Sequence, residues 1–192
     1  MNIAVFASGG GSNLRAIHKA ICSGDLPNVN LSLVISNNSK SGAIEFAKEK
    51  GVHCEHISLA KYNGDEKLLT SKMLHTLAEN KIDLIALAGY MKKLPDQIVT
   101  AYEKRIINIH PALLPKYGGE GMYGLSVHAA VLASGDKETG ATVHYVTNEY
   151  DRGEIILQER CSVLSGDTPE SLQGRVKEIE HVLLVRGVEH LL

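Results

Sequence analysis

Short apolar runs alternate with longer stretches in which apolar residues recur every three or four positions. Residues 3–7 (Ile-Ala-Val-Phe-Ala) lead through a glycine-rich link, residues 8–13, into a segment with Leu14, Ile17 and Ile21 on one helical face. Residues 31–36 form a second apolar run, followed by a polar link and a helical pattern that stops at Gly51. Residues 52–57 read as a weaker strand. A helix is predicted over roughly 64–80, with Leu68, Leu69, Met73, Leu74 and Leu77 apolar. Residues 82–88 are the strongest strand candidate. Pro95 then opens a helix holding Ile98, Val99 and Tyr102, and the run 106–109 follows. Nearly continuous apolar strands that alternate with helices predict an α/β fold, with a parallel sheet covered on both faces.

The rhythm changes after residue 120. Residues 124–135 predict a helix closed by Gly135. Residues 139–146 and 153–163 predict two strands whose short connection implies an antiparallel pair added to the sheet. Thr168 caps a last helix with Pro169 at its first position. No internal repeat, low-complexity tract or linker interrupts the pattern, so one domain over residues 1–192 is the expectation.

Composition changes this picture little. A chain of 192 residues, 44% hydrophobic and 22% charged, can bury an ordinary core without disulfides or metals. A net charge of −2 argues against a nucleic-acid surface spread over the whole domain, though not against a local anion site. Cys22, Cys54 and Cys161 show no paired spacing, which suits a reducing compartment. The first residues read as a strand and not as a signal peptide, and no window approaches a membrane span. The expectation is a cytoplasmic protein with no nucleic-acid or membrane partner.

The link 8–13 (Ser-Gly-Gly-Gly-Ser-Asn) lies where a first strand meets a first helix, so its backbone N–H groups can face an anion. It is not a P-loop, because no Lys-Ser/Thr follows at the required spacing. Leu14 stands where a dinucleotide fingerprint needs its third glycine, and no acidic residue closes the second strand. The other reading is a tight turn with Ser12 or Asn13 as helix N-cap.

The run 106–109 carries an amide at Asn108 and is followed by an imidazole at His110, on one face of a strand at its carboxyl end. An amide can donate to a developing oxyanion and an imidazole can move a proton near neutral pH, which together suit attack on a carbonyl. A turn-capping Asn and a core His are the plainer alternative. Asp151, in a loop that also holds Glu149, is either a solvated turn acid or a carboxylate that orients and charges His110. His128 either lines a crevice or packs. Ser8 and Ser126 lack the context of a nucleophile. His53 and His56 face opposite sides of an alternating strand, which disfavours a metal site there.

Residues 108–117 (Asn-Ile-His-Pro-Ala-Leu-Leu-Pro-Lys-Tyr) resemble the Asn-x-His-Pro-x-Leu-Leu-Pro signature of the formyltetrahydrofolate-dependent formyltransferases. Residues 9–14, 87–94, 140–153 and 175–181 are similar, in the same order, to segments of the branch that formylates glycinamide ribonucleotide. The resemblance covers essentially the whole chain. It implies a Rossmann-like formyltransferase fold: seven strands, mostly parallel, with helices on both faces and one antiparallel strand near the edge. It implies 10-formyltetrahydrofolate as co-substrate, glycinamide ribonucleotide as acceptor, no metal, and a monomer or weak homodimer. Asn108, His110 and Asp151 fall on the family's catalytic positions. Gly11, Ser12 and Asn13 fall on its phosphate site, and Lys177 and Glu180 on positions that hold the ribonucleotide. Met91, Lys92, Leu94, His144, Thr147, Asn148 and Glu149 fall around the folate.

On residue chemistry alone, Lys177 and Glu180 share a helix face and read as an exposed ion pair. The chain departs from many relatives at Lys92-Lys93, at a longer glycine-rich stretch before residue 125, and at Arg152. A formyltetrahydrofolate deformylase, which uses water as acceptor, and a non-catalytic nucleotide- or folate-binding module are the alternative functions.

Overall fold

The computed structural model describes residues 1–192. Seven strands form one sheet: β1 (Asn2–Phe6), β2 (Asn30–Ser36), β3 (Cys54–His56), β4 (Leu84–Leu87), β5 (Ile106–His110), β6 (Glu138–Tyr145) and β7 (Ile155–Ser162). Their order is β3-β2-β1-β4-β5-β6-β7. The first five are mutually parallel, and β6 runs antiparallel to both neighbours. The strand order reverses beside β1, where β4 starts the second half. Such a reversal leaves a crevice at the strands' carboxyl ends.

Six α-helices cover the sheet: α1 (Ser12–Ser23), α2 (Gly42–Glu49), α3 (Glu66–Glu79), α4 (Asp96–Ala101), α5 (Leu125–Ser134) and α6 (Pro169–Glu189). Side-chain alternation along the strands divides the core in two. Ile3 and Val5 of β1 face a cluster containing Leu14 and Ile17 of α1, Phe46 of α2 and Leu172, Val176 and Leu184 of α6. Ala4 and Phe6 face the other cluster, with Met73 and Leu77 of α3 and Ile98 of α4. Burial on both sides explains why these strands read as unbroken apolar runs.

Sequence signals set the helix ends. Thr168 accepts from the Ser171 N–H while the Ser171 hydroxyl accepts from the Thr168 N–H, with Pro169 at the first helical position. Gly135 ends α5 in the left-handed conformation. Two details differ from expectation. The β4 ladder is only four residues long, although the flanking Ile82 and Ala88 are buried as well. A short 3-10 helix, Leu59–Tyr62, intervenes before α3; it is capped by Ser58 and has no apolar periodicity to announce it. No helix is long and apolar enough to cross a membrane.

Candidate active site

A cleft of about 690 Å³ opens along the carboxyl ends of β1, β4 and β5. Phe6 of β1 pairs with Leu87 of β4, and Leu87 with Asn108 of β5, so β1 and β4 end level and β5 runs two residues further. Every site residue expected from the sequence lines this cleft.

The β1–α1 link forms one wall. Gly11 is the N-cap residue of α1, with φ 75° and no side-chain cap. The other reading, a cap at Ser12 or Asn13, does not hold: both lie within the helix. Only glycine suits the left-handed turn, and a Cβ there would stand 3.0 Å from Ala43 Cα. Without a capping side chain, the first N–H groups of α1 are left for an anion. Asn13 turns inward and its Nδ2 donates to Glu180 Oε2 at 2.7 Å.

The plainer reading of Lys177 and Glu180 as an exposed ion pair fails as well. Glu180 is buried (9% exposed), and burial raises its carboxyl pKa against the weaker pull of Asn13 and the Lys177 charge. Lys177 Nζ donates to Gln173 Oε1 at 3.2 Å. A helix face shared by two charges does not reveal that one of them looks into the core.

The opposite wall combines residues 87–94 with 146–150. The Met91 N–H donates to Ser8 Oγ at 2.8 Å, and the Ser8 hydroxyl donates in turn to Asn37 Oδ1, which ties the β4 exit to the ends of β1 and β2. Leu94 is buried, Met91 is half exposed, and Lys93 pairs with Asp96 at 3.3 Å, leaving Lys92 exposed. The Thr147 hydroxyl accepts from the Glu149 N–H at 3.3 Å; Asn148 and Glu149 are exposed.

On the cleft side of β5 four polar side chains meet. His144 of β6 lies opposite Asn108 in the antiparallel register and so shares its face. His144 Nδ1 lies 2.8 Å from the Tyr145 carbonyl, which assigns the ring proton to Nδ1. Its Nε2 then accepts from Asn108 Nδ2 at 3.1 Å, fixing the amide and leaving its second N–H free. Asp151 sits between the two histidines, with Oδ2 3.6 Å from His110 Nδ1 and Oδ1 3.5 Å from His144 Nε2. His110 Nε2 donates to the Tyr117 carbonyl at 2.8 Å.

Burial lowers the His110 pKa below the ordinary histidine value, and Asp151 and the Tyr117 carbonyl only partly offset it. The neutral ring is therefore favoured in the free protein, although a charged ring would satisfy both oxygen acceptors at once. For Asp151, burial pushes upward, but His144 and His110, when protonated, and the Gly119 N–H together pull the carboxyl below its usual range. Asn108 lies within β5 and caps no turn, His110 is buried and satisfied by a backbone carbonyl yet lines the cleft, and Asp151 is mostly buried and not a solvated turn acid.

The formyl transferase family pattern matches residues 1–188 of this chain. The chain belongs to the formyl transferase family. It is 44% identical over 186 residues to the chloroplastic phosphoribosylglycinamide formyltransferase of Arabidopsis thaliana, covering 97% of this chain and 63% of that protein. The chain thus spans less than two thirds of that relative's length. The crystal structure of glycinamide ribonucleotide transformylase 1 from Symbiobacterium toebii superposes with a TM-score of 0.90 at 36% identity, covering 98% of this chain and 85% of that one. A formyltetrahydrofolate deformylase from Pseudomonas syringae pv. tomato is more distant, at 26% identity and a TM-score of 0.86, covering 97% of this chain and 59% of that one.

Within this formyl transferase fold, two contributors escape sequence reasoning, and a third, His128, does both things the sequence offered: it packs and it lines the cleft. Tyr117 and Gly119 act through backbone groups, which carry no residue-type signal. His128 of α5 is 1% exposed, and its Nδ1 has no hydrogen-bond partner. Burial and the Lys177 and His110 charges push its pKa down to about 4.

Proposed function

We propose that this chain transfers the formyl group of 10-formyltetrahydrofolate to the primary amine of glycinamide ribonucleotide, a step of purine biosynthesis. The observation that carries the reading is the meeting of Asn108, His110, His144 and Asp151 in the same cleft as an uncapped helix N-terminus, in a chain of the formyl transferase family. The ribonucleotide phosphate lies against Gly11, Ser12 and Asn13, with Lys177 and Glu180 beside the rest of the nucleotide. The folate lies against Met91, Lys92, Leu94, His144 and the Thr147–Glu149 turn. One chain supplies all these residues, in keeping with a single domain that works as a monomer or weak homodimer.

The amine nitrogen attacks the formyl carbon, and the carbonyl oxygen becomes an oxyanion. The free N–H of Asn108 donates to it, a contribution worth roughly 100- to 1,000-fold in rate. The attacking nitrogen must then lose a proton, and the folate nitrogen must gain one as its bond to carbon breaks. His110 carries that proton, worth roughly 100- to 10,000-fold. Asp151 balances the imidazolium while it exists. Holding both substrates in one cleft supplies much of the remainder.

Supplying 10-formyltetrahydrofolate with and without glycinamide ribonucleotide, and following release of the folate product, tests the reading. Release is expected only with the ribonucleotide present. Equal release without it would assign the hydrolysis of a deformylase. Tight binding of both compounds without turnover would make the chain a binding module.

A further inference from the structure

Residues 117–119 touch both members of the His110–Asp151 pair through backbone alone. The Tyr117 carbonyl accepts from His110 Nε2 at 2.8 Å, and two residues later the Gly119 N–H donates to Asp151 Oδ2 at 2.9 Å. Gly118, between them, has no room for a side chain. A Cβ there would stand 2.6 Å from Leu114 Cδ2 and 3.0 Å from Asp151 Cβ. The chain thus lies directly against the carboxylate and the imidazole.

Tyr117 has φ 56°, a left-handed conformation that bulky residues rarely adopt. A turn of this kind persists only where its surroundings hold it. Here the side chain provides the hold. The Tyr117 hydroxyl donates to Asp136 Oδ2 at 2.8 Å and also meets Ser134 Oγ, at the C-terminal end of α5. Asp136 is held in turn by Lys116 Nζ at 2.9 Å.

We propose that Tyr117 is a positioning residue: its hydroxyl, anchored on Ser134 and Asp136, fixes the left-handed turn that aims one carbonyl at His110 and one amide at Asp151. A neutral imidazole has a single N–H, so the backbone carbonyl that takes it decides which nitrogen faces the carboxylate. The catalytic meaning of the inference rests on the proposed formyl transfer; the anchoring itself does not. Three titratable groups face His110: Asp151 from the segment after β6, His144 from β6 and His128 from α5.

Tyr117→Phe removes the hydroxyl and nothing else. Its kcat is expected to fall roughly 10- to 100-fold, while KM for each substrate stays within about threefold. The His110 imidazole titration, followed by NMR, is expected to move to lower pH as the carbonyl contact loosens. Lys116→Met takes the exposed partner from Asp136 while the tyrosine stays anchored, and its kcat should remain within about twofold of the parent. An unmoved His110 titration in Tyr117→Phe, or a kcat within about twofold of the parent, overturns the proposal. Should Tyr117→Phe not fold, Asp136→Ala withdraws the anchor from the far side and is judged by the same two readings. A parent chain without formyl transfer would refute the functional reading and leave the NMR titration to decide the anchor.

Discussion

Asn108 and His110 are two residues apart, yet each is oriented by a partner far along the chain or on its backbone. His144 takes one amide proton of Asn108, and the Tyr117 carbonyl takes the proton of His110. In assays of formyl transfer, Asn108→Ala and His110→Ala should each lose at least 100-fold in kcat with the fold intact by circular dichroism. Activity within threefold of the parent would remove that residue from the mechanism. The pair was legible in the sequence because strand alternation put both side chains on one face at a strand end. The partner of His110 was not, since a backbone carbonyl is the same at every position, and His144 was expected around the folate without its bond to Asn108.

His128 makes a prediction of a different kind. Its folded pKa is about 4 against about 6.5 in the unfolded chain. Between those values the unfolded chain binds a proton that the folded one does not, so acid favours unfolding. The stability that His128 contributes is full above about pH 6.5 and is lost as pH falls toward 4. Urea unfolding at pH 7 and pH 5 should show about 2 kcal/mol of this loss in the parent, and correspondingly less in His128→Leu. Equal pH dependence in the two proteins would mean that the ring is not held neutral by its surroundings.

Among the elements, the contact between α1 and α6 decides one end of the cleft. Asn13 at the start of the first helix donates to Glu180 near the middle of the last, 167 residues later. The buried carboxylate has a raised pKa, so its charge works against the fold at neutral pH and less so as it becomes protonated in acid. Glu180→Gln keeps an acceptor for Asn13 and removes the charge. Its thermal midpoint at pH 7 should be no lower than the parent's, while KM for the ribonucleotide rises about tenfold or more. A lower midpoint with unchanged KM would make Glu180 a structural residue only. Helical spacing showed that residues 177 and 180 share a face. The same spacing puts Glu180 four residues from both Val176 and Leu184, on the stripe that α6 buries, and that is the signal that separates it from Lys177.

The architecture of the molecule was the most legible level. The alternation of apolar runs and helical periods predicted a parallel sheet, and the short connection after residue 145 predicted the antiparallel pair, both as observed. Periodicity could do this because burial on both faces leaves a strong apolar signal in β1, β2 and β4. Its signal was weaker at the three-residue β3, which is only half-buried, and it failed at the 3-10 helix that follows.

The bond between Asn13 and Glu180 also bears on how the molecule comes into being. A ribosome makes the chain from its first residue onward, so the opening helix is complete long before its partner carboxylate has been translated. Until then a buried amide lacks its acceptor and this end of the cleft lacks a side. A stop just ahead of residue 180 would leave all seven strands encoded but take away the carboxylate and the half of α6 whose Leu183, Leu184 and Val188 close the core over the sheet.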